Sequence, residues 1–182
     1  MLGRLRLKLA VRNALAAIVF ALLLAGGSAN AADSLAPPVL LAVGSLAPRF
    51  TAVAHDGSRV ELARLRGKRV VLYFYVMDDS PGCTTEAVGF RDNWGVLSKR
   101  GVRVIGVATQ SQISHRTFAR KHKLPFPLLT DDHGEIATAY KVPVENGVAR
   151  RVTYLIGRDG KVERVWPQVN PTGHAAEILA VL

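Results

Sequence analysis

The densest apolar stretch in the body of the chain is Val70 to Tyr75, six residues without a polar interruption. A strand with one wet face alternates apolar and polar positions, so an unbroken run predicts a strand covered on both faces, as in a mainly parallel sheet. After it, Ala87, Phe90, Trp94 and Leu97 recur at steps of three and four and predict a helix over Thr84 to Lys99. Val102 to Ala108 predicts the next strand. Ser111 or Ser114 is placed to cap a helix running to about Lys123, with Ile113 and Phe118 facing inward. A short strand over Phe126 to Leu129 and a short helix over Glu135 to Lys141 follow.

Both ends of this body carry hairpin signals. Phe50 to Ala54 and Arg59 to Leu62 flank the turn-rich His55-Asp56-Gly57-Ser58. Val152 to Ile156 and Lys161 to Trp166 flank Gly157-Arg158-Asp159-Gly160. Thr172 is the expected cap of a last helix reaching Leu182. Strands alternating with helices, closed by a hairpin and a helix, predict an α/β three-layer sandwich. Pattern alone leaves several α/β topologies open, among them the thioredoxin-like one.

The first residues are of another kind. Arg4, Arg6, Lys8 and Arg12 precede an uncharged apolar run from Ala14 to Gly27, and small residues stand at Ala29 and Ala31. This three-part pattern predicts a secretory signal peptide over residues 1–31, cleaved after Ala31. The run of 14 residues is short against the roughly 20 that cross a bilayer as a helix; an uncleaved membrane anchor is the alternative. The chain is therefore expected to be exported, to a bacterial periplasm. Residues 32–43 read as a tether and 44–182 as one globular domain. The mature chain of about 151 residues is long enough to bury roughly 68–70% of its unfolded surface.

Removing residues 1–31 takes away four positive charges and no negative one, lowering the net charge from +10 to +6. Arg64, Arg66, Lys68 and Arg116 are scattered, and no basic stripe is interleaved with aromatic residues, so nucleic acid is not expected as a partner. His55, His115, His122, His133 and His174 lack ligand spacing. His115 and His122 share a helix face but lie about 10.5 Å apart along it, too far for one metal. Neither a CxxC, a CxxxC nor a glycine-rich phosphate loop is present. No metal or cofactor is expected.

Cys83 is the only cysteine. An exported chain with one cysteine cannot form an internal disulfide, so the thiol is buried and inert, paired with another molecule, or kept free for chemistry. Its setting favours the last. Cys83 follows the turn residues Pro81 and Gly82, where the strongest strand gives way to an amphipathic helix. That places it at or near a helix N-terminus, whose free N–H groups favour a thiolate, the nucleophilic form.

Residues 70–92, VVLYFYVMDDSPGCTTEAVGFRD, resemble the active-site segment of the peroxiredoxins, in particular the Q-type or bacterioferritin-comigratory branch. The resemblance extends through Gly44 to Phe50, Val104 to Val107, Phe126 to Asp131, Arg151 to Ile156 and Gly173-His174. It implies a thioredoxin-like three-layer sandwich with a central mixed sheet and an added N-terminal hairpin. It also implies peroxide reduction, with Cys83 attacking the O–O bond and becoming a sulfenic acid. Ser80 matches the hydroxyl residue that hydrogen-bonds the peroxide. Arg151 matches the arginine that stabilises the thiolate and the charge developing on the peroxide oxygens, and Glu86 the acid that orients that arginine.

Two positions depart from the family pattern. Val76 stands where the family has proline, and Val88 where many Q-type members carry a resolving cysteine. The resemblance therefore implies a one-cysteine cycle completed by an external thiol or a thioredoxin-like reductant, in a monomer or homodimer. Two rival readings are a non-catalytic thioredoxin-fold binding protein and a thiol-exchange protein without peroxidase activity.

Overall fold

The computed structural model describes residues 39–182. The expected signal peptide and residues 32–38 of the expected tether lie outside the described residues.

The elements run in chain order from the hairpin β1 (Thr51–Val53) and β2 (Arg59–Glu61) through a 3-10 turn (Leu62–Leu65) to β3 (Arg69–Phe74). Then come α1 (Pro81–Asp92), α2 (Trp94–Lys99), β4 (Val102–Ala108), α3 (Gln112–His122), β5 (Leu128–Thr130) and α4 (Glu135–Ala139). The chain closes with a short hairpin, β6 (Val144–Glu145) and β7 (Val148–Ala149), then β8 (Val152–Ile156), β9 (Val162–Trp166) and α5 (His174–Leu179). The main sheet has the order β5-β4-β3-β8-β9. β3 runs parallel to β4, and β4 to β5, while β8 is antiparallel to both β3 and β9. This is the mixed central sheet expected from the resemblance.

Burial on both faces explains why the strand run of β3 does not alternate. Val71, Tyr73 and Tyr75 pack with Ala87 and Phe90 of α1, Leu97 of α2, Phe118 of α3 and Ile178 of α5. Val70, Leu72 and Phe74 pack on the other side with Ile136 and Ala137 of α4, Tyr140, Tyr154 and Leu62. Successive residues of a strand point to opposite faces, so a strand between two cores must be apolar throughout. Leu40 and Leu41, in the stretch expected as tether, pack against the second core.

Three expectations are corrected. The helix expected over Thr84 to Lys99 begins earlier, at Pro81, and divides at Asn93 into α1 and α2. The Asn93 side-chain amide donates to the Gly89 carbonyl at 2.9 Å, a local bond that competes with helix continuation. Ile113 points outward, 76% exposed, because the inward positions of α3 are His115, Phe118 and Ala119, and a residue two before His115 lies across the helix from them. The last helix starts after Gly173, whose φ of 88° few other residues adopt, and ends at Leu179; Thr172 does not cap it. The β6–β7 hairpin was not expected, although Asn146 and Gly147 at its turn both have positive φ, as a tight two-residue turn requires.

One glycine of the sheet is there for room. Gly106 in β4 lies beside Tyr73 of β3, and a Cβ on it would sit 2.6 Å from Leu128 Cδ2 and 2.8 Å from Tyr73 Oη. Neither neighbour can yield easily, since both are buried and the Tyr73 ring lies against Tyr75, Phe90 and Phe126. Gly106→Ala is expected to destabilise the fold by about 1–3 kcal/mol through overpacking. A urea unfolding curve checks this, and an unchanged midpoint would show that the ring moves freely.

Candidate active site around Cys83

The chain leaves β3 at Phe74, crosses a short loop and enters α1 at Pro81. Ser80 is the cap residue, extended at φ −68° and ψ 145°, and its carbonyl accepts the first helical bond from Thr84 N at 2.8 Å. Proline at the first helical position has its ring-fixed φ already helical and lacks an N–H that would go unpaired. Cys83 therefore lies in the first turn of α1, as the sequence suggested, with 1% of its surface exposed.

Arg151 arrives from the far end of the sequence. It immediately precedes β8, and the antiparallel register pairs Val152 with Phe74 at the C-terminal end of β3. The start of β8 thus stands beside the start of α1. Arg151 Nη2 donates to Cys83 Sγ at 3.1 Å, while Nη1 donates to Glu86 Oε2. Gly82 makes room for this approach: a Cβ there would meet Arg151 Nη2 at 3.2 Å and Pro171 Cγ at 3.5 Å. Arg151 retains only 17% of its side-chain exposure and Glu86 none. It is not the solvated surface cation that its sequence context alone suggests.

Burial and charge act against each other in this trio. Burial pushes the Glu86 carboxyl up to about 7, against the opposing pull of Arg151. Burial also disfavours the Arg151 charge, but Glu86 and Cys83 together outweigh it and raise the guanidinium further. Glu86 Oε1 and the Tyr73 hydroxyl are both buried without a hydrogen-bond partner among the described residues. Tyr73 is held well above the usual phenol range by burial, with the charges of Glu86 and Cys83 adding to it.

Ser80 stands one turn ahead of Cys83. Its hydroxyl donates to the Met77 carbonyl at 3.0 Å and makes no bond to Cys83, Glu86 or Arg151. Val76, at the family's proline position, packs partly buried against the core, and its carbonyl accepts from Gln110 Nε2 at 3.3 Å. Val88 is half-buried on α1.

Sequence reasoning assigned no role to the two aspartates of the loop, Asp78 and Asp79. Asp78 is buried against Tyr75, Ser114 and His115. Asp79, at φ 58°, reaches Lys121 and His122 at 2.9 Å each, and those bonds hold its carboxyl below the usual range. A buried carboxylate hidden in a polar loop gives no periodicity signal; only its partners on α3 reveal it. Among the described residues, no group of three or more histidine, cysteine or acidic side chains gathers as metal ligands would. A cavity of about 370 Å³ lies at the opposite end of β3, lined by Leu62, Val70 and Ile156, remote from Cys83.

The raised Glu86 carboxyl has a consequence for stability. Between pH 4.5 and about 7 the folded protein holds a proton that the unfolded chain has released, so stability falls as pH rises through this window. Glu86→Gln removes the titration, and the wild type is expected to lose about 3 kcal/mol relative to the variant across that window. Denaturant unfolding of both proteins at several pH values checks this. A pH-independent difference would mean that Glu86 stays ionised throughout.

The chain matches the AhpC/TSA family over residues 43–165, a span that contains both Cys83 and Arg151. It is 43% identical over 148 residues to a Coxiella burnetii protein named peroxiredoxin bcp, covering 77% of this chain and 97% of that one. It is 38% identical over 142 residues to the chloroplastic peroxiredoxin Q of Triticum aestivum, covering 76% of this chain and 65% of the plant protein. Among solved structures it resembles the peroxidoxin BcpB of Mycobacterium tuberculosis, with a TM-score of 0.71, 29% identity, and 76% and 94% of the two chains covered. It also resembles PrxQ of Xylella fastidiosa, with a TM-score of 0.69, 27% identity, and 80% and 94% covered. A cysteine in the first turn of a helix, met by an arginine that immediately precedes a strand of the sheet, thus occurs within a matching sequence and a matching fold, and the chain belongs to the AhpC/TSA family, among its BCP and Q-type peroxiredoxins.

Proposed function

We propose that the chain reduces hydrogen peroxide and organic hydroperoxides at Cys83, with Arg151 and Ser80 completing the pocket and Glu86 orienting Arg151. The observation that carries this reading is the fork of Arg151 between Cys83 Sγ and Glu86.

The chemistry follows from the placement. The Cys83 thiolate attacks one oxygen of the peroxide; an S–O bond forms, the O–O bond breaks, and the departing oxygen takes a proton to leave as water or alcohol. Negative charge moves from sulfur onto the peroxide oxygens, and a guanidinium already beside the sulfur can follow it without reorganising. The Ser80 hydroxyl donates to the Met77 carbonyl, and its lone pairs, free of donors among the described residues, can accept from the O–H of the peroxide. Cys83 is left as a sulfenic acid. With no second cysteine in the chain, an external thiol attacks that sulfur, releasing water and leaving a mixed disulfide. A second thiol equivalent then frees Cys83.

The reductant is a small thiol or a thioredoxin-like protein, and the enzyme works as a monomer or homodimer. The N-terminal pattern of residues 4–31 supports export to a periplasm, with cleavage after Ala31. Family membership favours this peroxidase over a non-catalytic binding protein or a thiol-exchange protein.

Stopped-flow consumption of peroxide by residues 32–182 tests the reading with two variants. Cys83→Ser is expected to abolish the reaction while the fold persists, because a hydroxyl is barely ionised near neutral pH. Arg151→Ala is expected to slow the peroxide step roughly 100- to 1000-fold, the usual consequence of losing one preorganised donor at developing charge. Peroxide consumption surviving in the serine variant overturns the assignment of Cys83, and an unchanged rate in the alanine variant that of Arg151.

A further inference from the structure

Asp78 is a carboxylate in an unexpected place. It is 8% exposed and stands five residues before Cys83 in the chain, where burial of a carboxylate is costly unless its oxygens are paired. Both of its oxygens nevertheless accept hydrogen bonds. Tyr75 Oη donates to Oδ1 at 2.7 Å; Ser114 Oγ and His115 Nδ1 donate to Oδ2 at 2.6 Å and 2.8 Å. Burial opposes ionisation, yet the bonds from His115, Ser114 and Tyr75 hold the carboxyl below its usual range.

The donors come from two separate stretches of the chain. Tyr75 directly follows β3, and Ser114 and His115 form the first turn of α3. Three donors converging on one group require an acceptor with two equivalent oxygens, since an amide would turn its own N–H bonds toward some of them. His115 is wholly buried, and Tyr75 Oη lies 3.1 Å from the same Nδ1. An ionised carboxylate only accepts, so His115 Nδ1 donates to it as the Tyr75 hydroxyl does, and among the described residues Nε2 is left buried without a partner. A histidine kept at that cost serves to hold the carboxylate.

From Asp78 the chain has little freedom before it reaches sulfur. Asp79 is in the left-handed region and tied to Lys121 and His122, Ser80 is the helix cap and Pro81 the first helical residue. The start of α1 is thus pinned to α3 at two successive residues. We propose that Asp78 is a positioning residue of the peroxidase: clamped by Tyr75, Ser114 and His115, it sets the start of α1 so that Cys83 Sγ meets Arg151 and the incoming peroxide. This inference rests on Cys83 being the group that attacks peroxide.

The test pairs two reactions of the same sulfur. Peroxide reduction needs the sulfur aligned with Arg151 and the substrate, whereas alkylation by iodoacetamide at a pH where the thiol is ionised needs only an accessible thiolate. Asp78→Asn is expected to slow peroxide consumption about 10- to 100-fold, as displacements near 1 Å do, with alkylation at high pH nearly unchanged and cooperative unfolding retained. His115→Asn, whose amide nitrogen can stand in for Nδ1, is expected to keep most of the peroxide rate, while His115→Leu falls with Asp78→Asn. A wild-type peroxide rate in Asp78→Asn overturns the inference, and so does a parallel loss of alkylation, which would mark Asp78 as merely structural. If Asp78→Asn does not fold, the histidine pair decides, and equal peroxide rates in His115→Asn and His115→Leu overturn the inference. A wild type that consumes no peroxide at all overturns the peroxidase reading itself, and the positioning role with it.

Discussion

Arg151 cannot contact Cys83 unless the strand that carries it lies antiparallel against β3 in one register. The pairing of Val152 with Phe74 puts the start of β8 at the end of the sheet where α1 begins. A shift of one residue would turn the side chains of β8 to the opposite face and take the guanidinium with them. The contact between Arg151 and Cys83 spans 68 residues of sequence, and β4 and β5 of the mixed sheet lie between its two ends in the chain. Around that contact the site is an arrangement of charges in a dry place. Arg151 carries one positive charge, and two groups draw on it. Because burial moves the Glu86 carboxyl up to about 7, the acid does not fully neutralise the guanidinium near neutral pH, and part of its field remains for the sulfur.

The rest of the fold holds the two ends of this contact still. Thr153 of β8 meets His174 Nε2 at 3.0 Å, and the His174 ring lies edge-on to Phe90 of α1 and to Trp166 of β9. The strand that follows Arg151 and the helix bearing Cys83 are thus packed against one imidazole. Burial keeps that imidazole's pKa low, despite the pull of Glu177, so it acts here as a neutral packing and hydrogen-bonding group. On the other side of α1, Arg91 Nη1 donates to the His122 carbonyl at 2.9 Å, joining the end of α1 to the end of α3. Together with the Asp78 and Asp79 contacts, this ties α1 to α3 at both of its ends.

The sheet was legible because its physics is local. An unbroken apolar run such as Val70 to Tyr75 has no stable place except between two cores, and Val102 to Ala108 is a strand over the same residues that its pattern suggests. Helix ends were less legible. Asn93 divides a continuous apolar stripe by bonding its own backbone, and Ile113 faces water because His115 takes the inward position, a choice made by Asp78 rather than by hydrophobicity. At the site, the turn before a helix was enough to single out Cys83. Ser80, Glu86 and Arg151 were legible only through family resemblance, since a serine in a turn, an acid in a helix and a cation before a strand are ordinary surface residues until the fold brings them together. The structure brings Arg151 to the sulfur and Glu86 to Arg151, and leaves the Ser80 hydroxyl on the Met77 carbonyl. Asp78 gave no sign at all, because its meaning lies in three side-chain donors, two of them on α3.

That Cys83 itself takes an oxygen atom from peroxide is most directly tested by intact mass measurement of the reduced protein after one equivalent of hydrogen peroxide. The expected product gains the mass of one oxygen at Cys83, returns to its starting mass with a small thiol, and goes on to the sulfinic acid when peroxide is in excess and no thiol is present. An unchanged mass, with the thiol still titratable, would show that the sulfur is a buried packing group and that its contact with Arg151 serves structure alone.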